Sequence, residues 1–294
     1  MNIQRVGQIQ TQLGECPVWH EHRLWMLDCR EGTLLALDTG SGKVEQRYTL
    51  PPPLGSWAFN DDGSVVVATK EAVIALHLQT GQRLTLAELG CSLPHLRFND
   101  GTALADGSFV VGTMHVLRDA GEHPAGGLYR LDRSMNWVQI DQGYGITNGP
   151  CVSPVNSRLH VADSEARLIY SYAIDANGAL HDKRVFANTA PLGSSPDGCC
   201  FDTEGGLWTA LVRAGALARF NEAGQLTHRI DLPVAHPSAL CFGGDDLNEL
   251  YVTSIRDSGR LSADGPLDGA VIKLSGLGFR GLPRHMCGFP LHWH

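Results

Sequence analysis

One short element that returns six times constrains this chain more than any other feature of it. Each copy is a small or polar residue followed four positions later by a bulky apolar one, then a turn and a strand. The pairs are Glu15/Trp19, Gly55/Phe59, Asp100/Leu104, Asn148/Val152, Asp197/Phe201 and Ser238/Phe242, at successive spacings of 40, 45, 48, 49 and 41 residues. A period of this size marks a stacked or radial repeat. If the units surround an axis, equivalent positions converge on it. Glu15, Asp100, Asn148 and Asp197 then meet although they are far apart in sequence.

Between these elements lie short β-rich runs separated by Gly, Asp and Asn. Arg23–Asp28 and Thr33–Asp38 recur as Ser64–Thr69 and Ala72–Leu76, and again as Glu249–Ser254 and Ala270–Leu274. Evenly spaced strand runs with turn signals, and no amphipathic helical stretch of ten or more residues, predict an all-β chain. About four strands per period, repeated radially, describe a propeller blade. The expectation is a six-bladed β-propeller with a central metal-binding channel, filling residues 1–294 as one domain. A sandwich leaves six matched copies unexplained, and a closed ring removes exposed sheet edges. Two Gly-, Pro- and charge-rich segments, Met114–Gly126 and Arg256–Gly269, interrupt the pattern between second and third strands. Long loops on a rigid ring are places for lids and specificity elements.

A net charge of −8 without a Lys/Arg cluster argues against a nucleic-acid partner. The polar start Met1–Val6 has no secretory apolar run, and no stretch reaches the length needed to cross a bilayer, so a cytoplasmic protein without a membrane partner is expected. Eight cysteines include no C-x-x-C pair, and several sit in apolar strand patterns, which predicts reduced core thiols. His292 and His294 read as a loose tail. The oligomeric state leaves no signature in the pattern.

Oxygen-rich positions at one phase of the repeat carry the chemistry. Hard divalent cations take carboxylate, amide and water oxygens, and Glu15, Asn148 and Asp197 supply three such side chains, with Asp100 at a fourth position. Taken singly, the Asn148-Gly149 and Asp197-Gly198 pairs are ordinary hairpin turns. Carboxylates crowded at an axis repel one another unless a cation neutralises them, so their coincidence favours a metal. Arg97 and Asn99 stand beside the same position, where a planar guanidinium suits a polyhydroxylated or carbonyl-bearing ligand.

These segments resemble the gluconolactonase/regucalcin (senescence marker protein 30) family. The matching stretches are Leu13–Trp19, Arg97–Gly101, Val111–Met114, Ile146–Gly149, Val161–Ser164, Ser195–Gly198 with Gly205–Trp208, Leu250–Ser254 and Arg280–Pro283, in order along the chain. The resemblance implies a six-bladed propeller with one divalent metal, held by the residues at positions Glu15, Asn148 and Asp197. It also implies contact of Arg97 and Asn99 with a sugar, Asp100 being placed with them. Calcium, zinc, manganese, magnesium and ferrous iron are all compatible with such a ligand set. The implied activity is hydrolysis of a small-molecule sugar lactone to the aldonic acid. One departure stands out: after Gly112-Thr113-Met114, where many members carry acidic residues, this chain has His115-Val116-Leu117.

The expected mechanism is metal-assisted ester hydrolysis, with Lewis acidity at the lactone carbonyl. Asp197 serves as general base or solely as ligand, and Arg97 and Asn99 orient ring hydroxyls. No G-x-S-x-G motif supplies a nucleophilic serine. The alternatives are a non-catalytic calcium-binding propeller, and a hydrolase of other lactones or phosphotriesters on the same scaffold.

Overall fold

Strand runs that are apolar at every position need cover on both faces, and the chain meets that need by stacking sheets side by side. The structure is a computed structural model that describes residues 1–90, 95–175 and 177–293. It contains six four-stranded antiparallel sheets. The second strands Val65–Ala68, Leu159–Asp163 and Leu207–Leu211 are buried throughout. The outermost strand Lys43–Thr49 instead alternates exposed and half-buried residues. This contrast is the one expected of a β-propeller blade, whose middle strands lie between neighbouring blades.

The core is divided into six wedges, one per interface between adjacent blades. Trp25, Leu27 and Leu34 meet Trp57, Val65 and Val67 between the first two blades. Leu104, Val110 and Leu128 meet Leu159, Val161 and Tyr172 between the third and fourth. The first strands of the sheets, Gly14–His20, Ser56–Phe59, Leu96–Ala103, Thr147–Val152, Pro196–Phe201 and Pro237–Gly243, contact one another in succession and surround the axis.

Closure comes from the amino terminus. Asn2–Val6 pairs antiparallel with Val271–Ser275, so the first strand of the chain is the outer strand of the last blade. Val6 then packs with Leu24, Met26, Tyr251 and Val271 where last and first blades meet. The carboxy-terminal segment crosses the ring on one face. Thr203 N–H donates to Arg280 O at 2.8 Å, and Cys287 N–H donates to Phe59 O at 2.7 Å. The loose tail expected around His292 is corrected by the anchors of its neighbours. Phe289 is buried, its N–H donates to Asn60 Oδ1 at 2.8 Å, and Trp293 Nε1 donates to Asp62 Oδ2 at 2.9 Å. His294 and Cys91 lie outside the described residues.

Among the described residues the one helical element is the 3-10 turn Ala190–Leu192, and no helix is long and apolar enough to cross a membrane. Seven cysteines are free thiols, six of them buried.

Candidate metal and substrate site

Five of the six inner strands break register near their start. The shifts fall between Glu15 and Val18, Phe98 and Gly101, Asn148 and Cys151, Pro196 and Cys199, and Pro237 and Leu240. A bulge leaves residues unpaired and turns their side chains away from the regular pleat. Here the bulges turn polar residues toward the axis. Cys16, directly after Glu15, has φ +49°, a left-handed conformation rare for a residue with a side chain. Gly149 has φ +53°, and a Cβ there would lie 2.5 Å from Cys199 Sγ, so only glycine fits.

On the face opposite the tail these strands open into a basin of about 820 Å³. Its floor carries Glu15, Asn148 and Asp197 from the first, fourth and fifth blades, all buried, with Arg97 and Asn99 beside them from the third. Of the six positions singled out from the sequence, five therefore line one cavity. Asp100 does not. It faces a small cavity of about 50 Å³ on the tail side, with Cys16, Cys199 and Arg284. Its Oδ1 accepts from Gly101 N–H at 2.7 Å and Cys16 Sγ at 3.2 Å, and its Oδ2 accepts from Gly149 N–H at 2.8 Å.

The strand ladders give the reason. Glu15 and Asn148 are the last paired residues before their bulges, and Asp197 is the first unpaired one. In the third blade the first unpaired position belongs to Asn99, and Asp100 is the second, directed to the other side. A four-residue spacing does not register such one- and two-residue offsets.

Burial outweighs the few donors these carboxyls have and sets the electrostatics. The Glu15 carboxyl is held well above its usual range, first by burial and then by the charges of Asp197 and Asp100. Asp197 is likewise raised by burial and by Asp100, and Asp100 is raised by burial. Glu15 Oε2 is buried and has no hydrogen-bond partner. Two acceptor-only groups facing one another in a low dielectric need either a proton or a cation between them.

The Asn148 amide is fixed on both sides. Its Nδ2 donates to Ser164 Oγ at 2.8 Å, Ser164 Oγ donates to Pro196 O at 2.6 Å, and its Oδ1 accepts from Asn99 Nδ2 at 2.9 Å. One lone pair of that oxygen remains for another ligand. Among the described residues no three His, Cys, Asp or Glu side chains gather closely enough to hold a metal by themselves. A cation at this floor would therefore draw its third protein oxygen from Asn148. Two carboxylates, one amide oxygen and an orphaned Glu15 Oε2 fit a hard divalent cation that keeps its remaining positions for water or substrate.

Both inserted segments wall this basin, one through Met114–Arg118 and the other through residues 258–261. They touch where Arg260 Nη2 donates to Val116 O at 2.6 Å. Sequence reasoning assigned no role to Ser164, Arg118, Arg167, Arg213 or Arg260, all of which line the basin. Ser164 stood in a quoted motif, Val161–Ser164, but the arginines are isolated loop residues without a pattern.

The sequence pattern of the SMP-30/gluconolactonase/LRE-like region matches residues 13–256. The chain belongs to this family. It is 34% identical over 266 residues to a 6-deoxy-6-sulfogluconolactonase of Pseudomonas putida, covering 88% of this chain and 89% of that one. It is 32% identical over 296 residues to regucalcin of Gallus gallus, covering 96% and 97%. Among solved structures, a calcium-binding regucalcin from Agrobacterium tumefaciens superposes with a TM-score of 0.85 at 25% identity, covering 98% of this chain and 97% of that one.

Proposed function

We propose that this chain hydrolyses a sugar lactone to the corresponding aldonic acid, using one divalent cation held by Glu15, Asn148 and Asp197. The observation that carries this reading is the buried pair of carboxylates, Glu15 and Asp197, at the floor of an open basin, beside the Asn148 amide that Asn99 joins to the Arg97 guanidinium. Relatives named for sugar-lactone hydrolysis support the same reaction class.

A cation bound there supplies Lewis acidity and neutralises developing negative charge on the ester. The side chains do the rest. Asp197, whose proton affinity is raised by burial and by Asp100, takes the proton of the attacking water. Arg97 is positioned by its own neighbours: Nη1 donates to Phe98 O at 2.8 Å and to Asn99 Oδ1 at 3.1 Å. Its Nε and Nη2 are left to meet the lactone oxygens and hydroxyls, so that binding becomes orientation. Asn99 holds Arg97 and Asn148 in register, and Asp100 clamps the backbone N–H groups of Gly101 and Gly149 beneath the floor. The free, buried thiols agree with action in the reducing cytoplasm.

Acid release from a panel of aldonolactones, with chelator and after reloading with calcium, zinc, manganese, magnesium or ferrous iron, tests this function. Turnover that needs the metal and falls by about a hundredfold or more in Asp197→Asn supports it. Tight metal binding without turnover of any lactone points to a binding protein instead. Turnover confined to acyl lactones or phosphotriesters points to a different hydrolase.

A further inference from the structure

Resting on the lactonase reading, we propose that the substrate carries a second, strongly acidic group at the end away from its lactone carbonyl, bound by guanidinium groups at the basin's mouth. The charge lining the basin is the primary observation. Five arginines, Arg97, Arg118, Arg167, Arg213 and Arg260, face it against the three carboxylates of Glu15, Glu165 and Asp197. This is a positive mouth on a chain whose net charge is −8.

The arginines are largely not neutralised. Among the described residues, Arg97, Arg167, Arg213 and Arg260 pair with no carboxylate, and only Arg118 has one, the rim residue Glu165. Arg118 Nη1 is nevertheless buried without a hydrogen-bond partner. Arg260 is anchored through a backbone oxygen, Val116 O, rather than through a carboxylate. Burial and, further down, the neighbouring charge of Arg260 disfavour the charged form of Arg97. Like charges converging on a cavity repel, and an anion between them relieves that repulsion while accepting charge-assisted hydrogen bonds. A neutral sugar lactone offers no such anion. The carboxylate made by the reaction forms at the floor, whereas Arg167, Arg213 and Arg260 are exposed at the rim.

A phosphate, sulfonate or carboxylate on the last carbon of an aldonolactone has the required chemistry. The reaction itself is unchanged: water adds across the ring ester, the acyl C–O bond breaks, and a carboxylate, a hydroxyl and one proton result.

The test compares kcat/KM for glucono-lactone with that for its 6-phospho and 6-sulfo derivatives and for an aldarolactone, using the metal-loaded full chain. At least one acidic lactone is expected to exceed the neutral one by about ten-fold or more, the value of one good charge-assisted contact. The three acidic arms identify which anion is preferred. The ratio should shrink between about 0.01 and 1 M salt. It should also fall several-fold in R260Q and in R213Q, both exposed positions where folding is safe. A neutral lactone turned over as well as every acidic one, or a ratio untouched by salt and by both variants, overturns the proposal. If no lactone is hydrolysed, calorimetric binding of 6-phosphogluconate against gluconate separates the two ideas. Preference for the phosphate keeps the anion subsite while the lactonase reading fails, and equal binding removes both.

Discussion

Asn99 donates both N–H groups of its side-chain amide to the fourth blade, to Thr147 O at 2.8 Å and to Asn148 Oδ1 at 2.9 Å. Its own Oδ1 accepts from Arg97 Nη1 at 3.1 Å. The Arg97 guanidinium and the Asn148 amide are thus joined by one side chain across a blade boundary. Asn99→Asp places acceptors against two carbonyl oxygens. It is expected to lower kcat/KM by about a hundredfold and stability by ~1–3 kcal/mol, the cost of breaking buried hydrogen bonds. Steady-state kinetics alongside urea melts measure both, and an unchanged kcat/KM would remove Asn99 from the site.

The buried carboxylates predict how stability varies with pH. Glu15, Asp100 and Asp197 are all raised above their ordinary values, so the folded state binds protons more tightly than the unfolded chain. The contribution of these three groups to the stability of the cation-free protein is therefore fully present below the ordinary carboxylate range, about pH 4, and is lost as pH rises through the raised values. A bound cation replaces the protons and reverses the trend. Thermal melts from acid to neutral pH, with chelator and with metal, should show a Tm gap between the two that widens as pH rises, and Glu15→Gln should narrow it.

Ser164 links Asn148 to Pro196 O and so fixes the amide across the fourth and fifth blades. Ser164→Ala leaves Asn148 Nδ2 without its acceptor. Metal affinity is expected to drop about ten-fold, as for other groups that orient a ligand. Calorimetric metal titration reads this directly, and an unchanged Kd contradicts the assigned role.

Deleting residues 1–6 uncovers the edge of Val271–Ser275 and removes Val6 from the wedge between last and first blades. An open edge invites pairing with other chains. The truncated protein is expected to melt earlier and to elute as larger species in size-exclusion chromatography. A monomer of unaltered Tm would contradict ring closure by this strand.

Radial repetition explains why the blades and the floor residues could be read from the sequence. Each of Glu15, Asn148 and Asp197 sits at the same edge of its inner strand, so spacing alone brought them together. Asp100 was misplaced because a bulge changes which face a residue serves without changing its distance along the chain. The closing strand Asn2–Val6 is a polar, five-residue run whose partner lies at the far end of the sequence, and nothing local marks it. The tail is held mostly by backbone hydrogen bonds such as Cys287 N–H to Phe59 O, to which side-chain patterns are blind. The rim arginines come from four separate blades, and each alone resembles an ordinary surface charge.

Glu15, Asn148 and Asp197 are proposed to share one ion. Anomalous diffraction from crystals of the active, manganese-loaded protein tests it most directly. A single strong peak is expected within about 2.0–2.6 Å of a Glu15 carboxylate oxygen, Asn148 Oδ1 and an Asp197 carboxylate oxygen. An active crystal whose peak lies elsewhere, or which shows none at this floor, contradicts it.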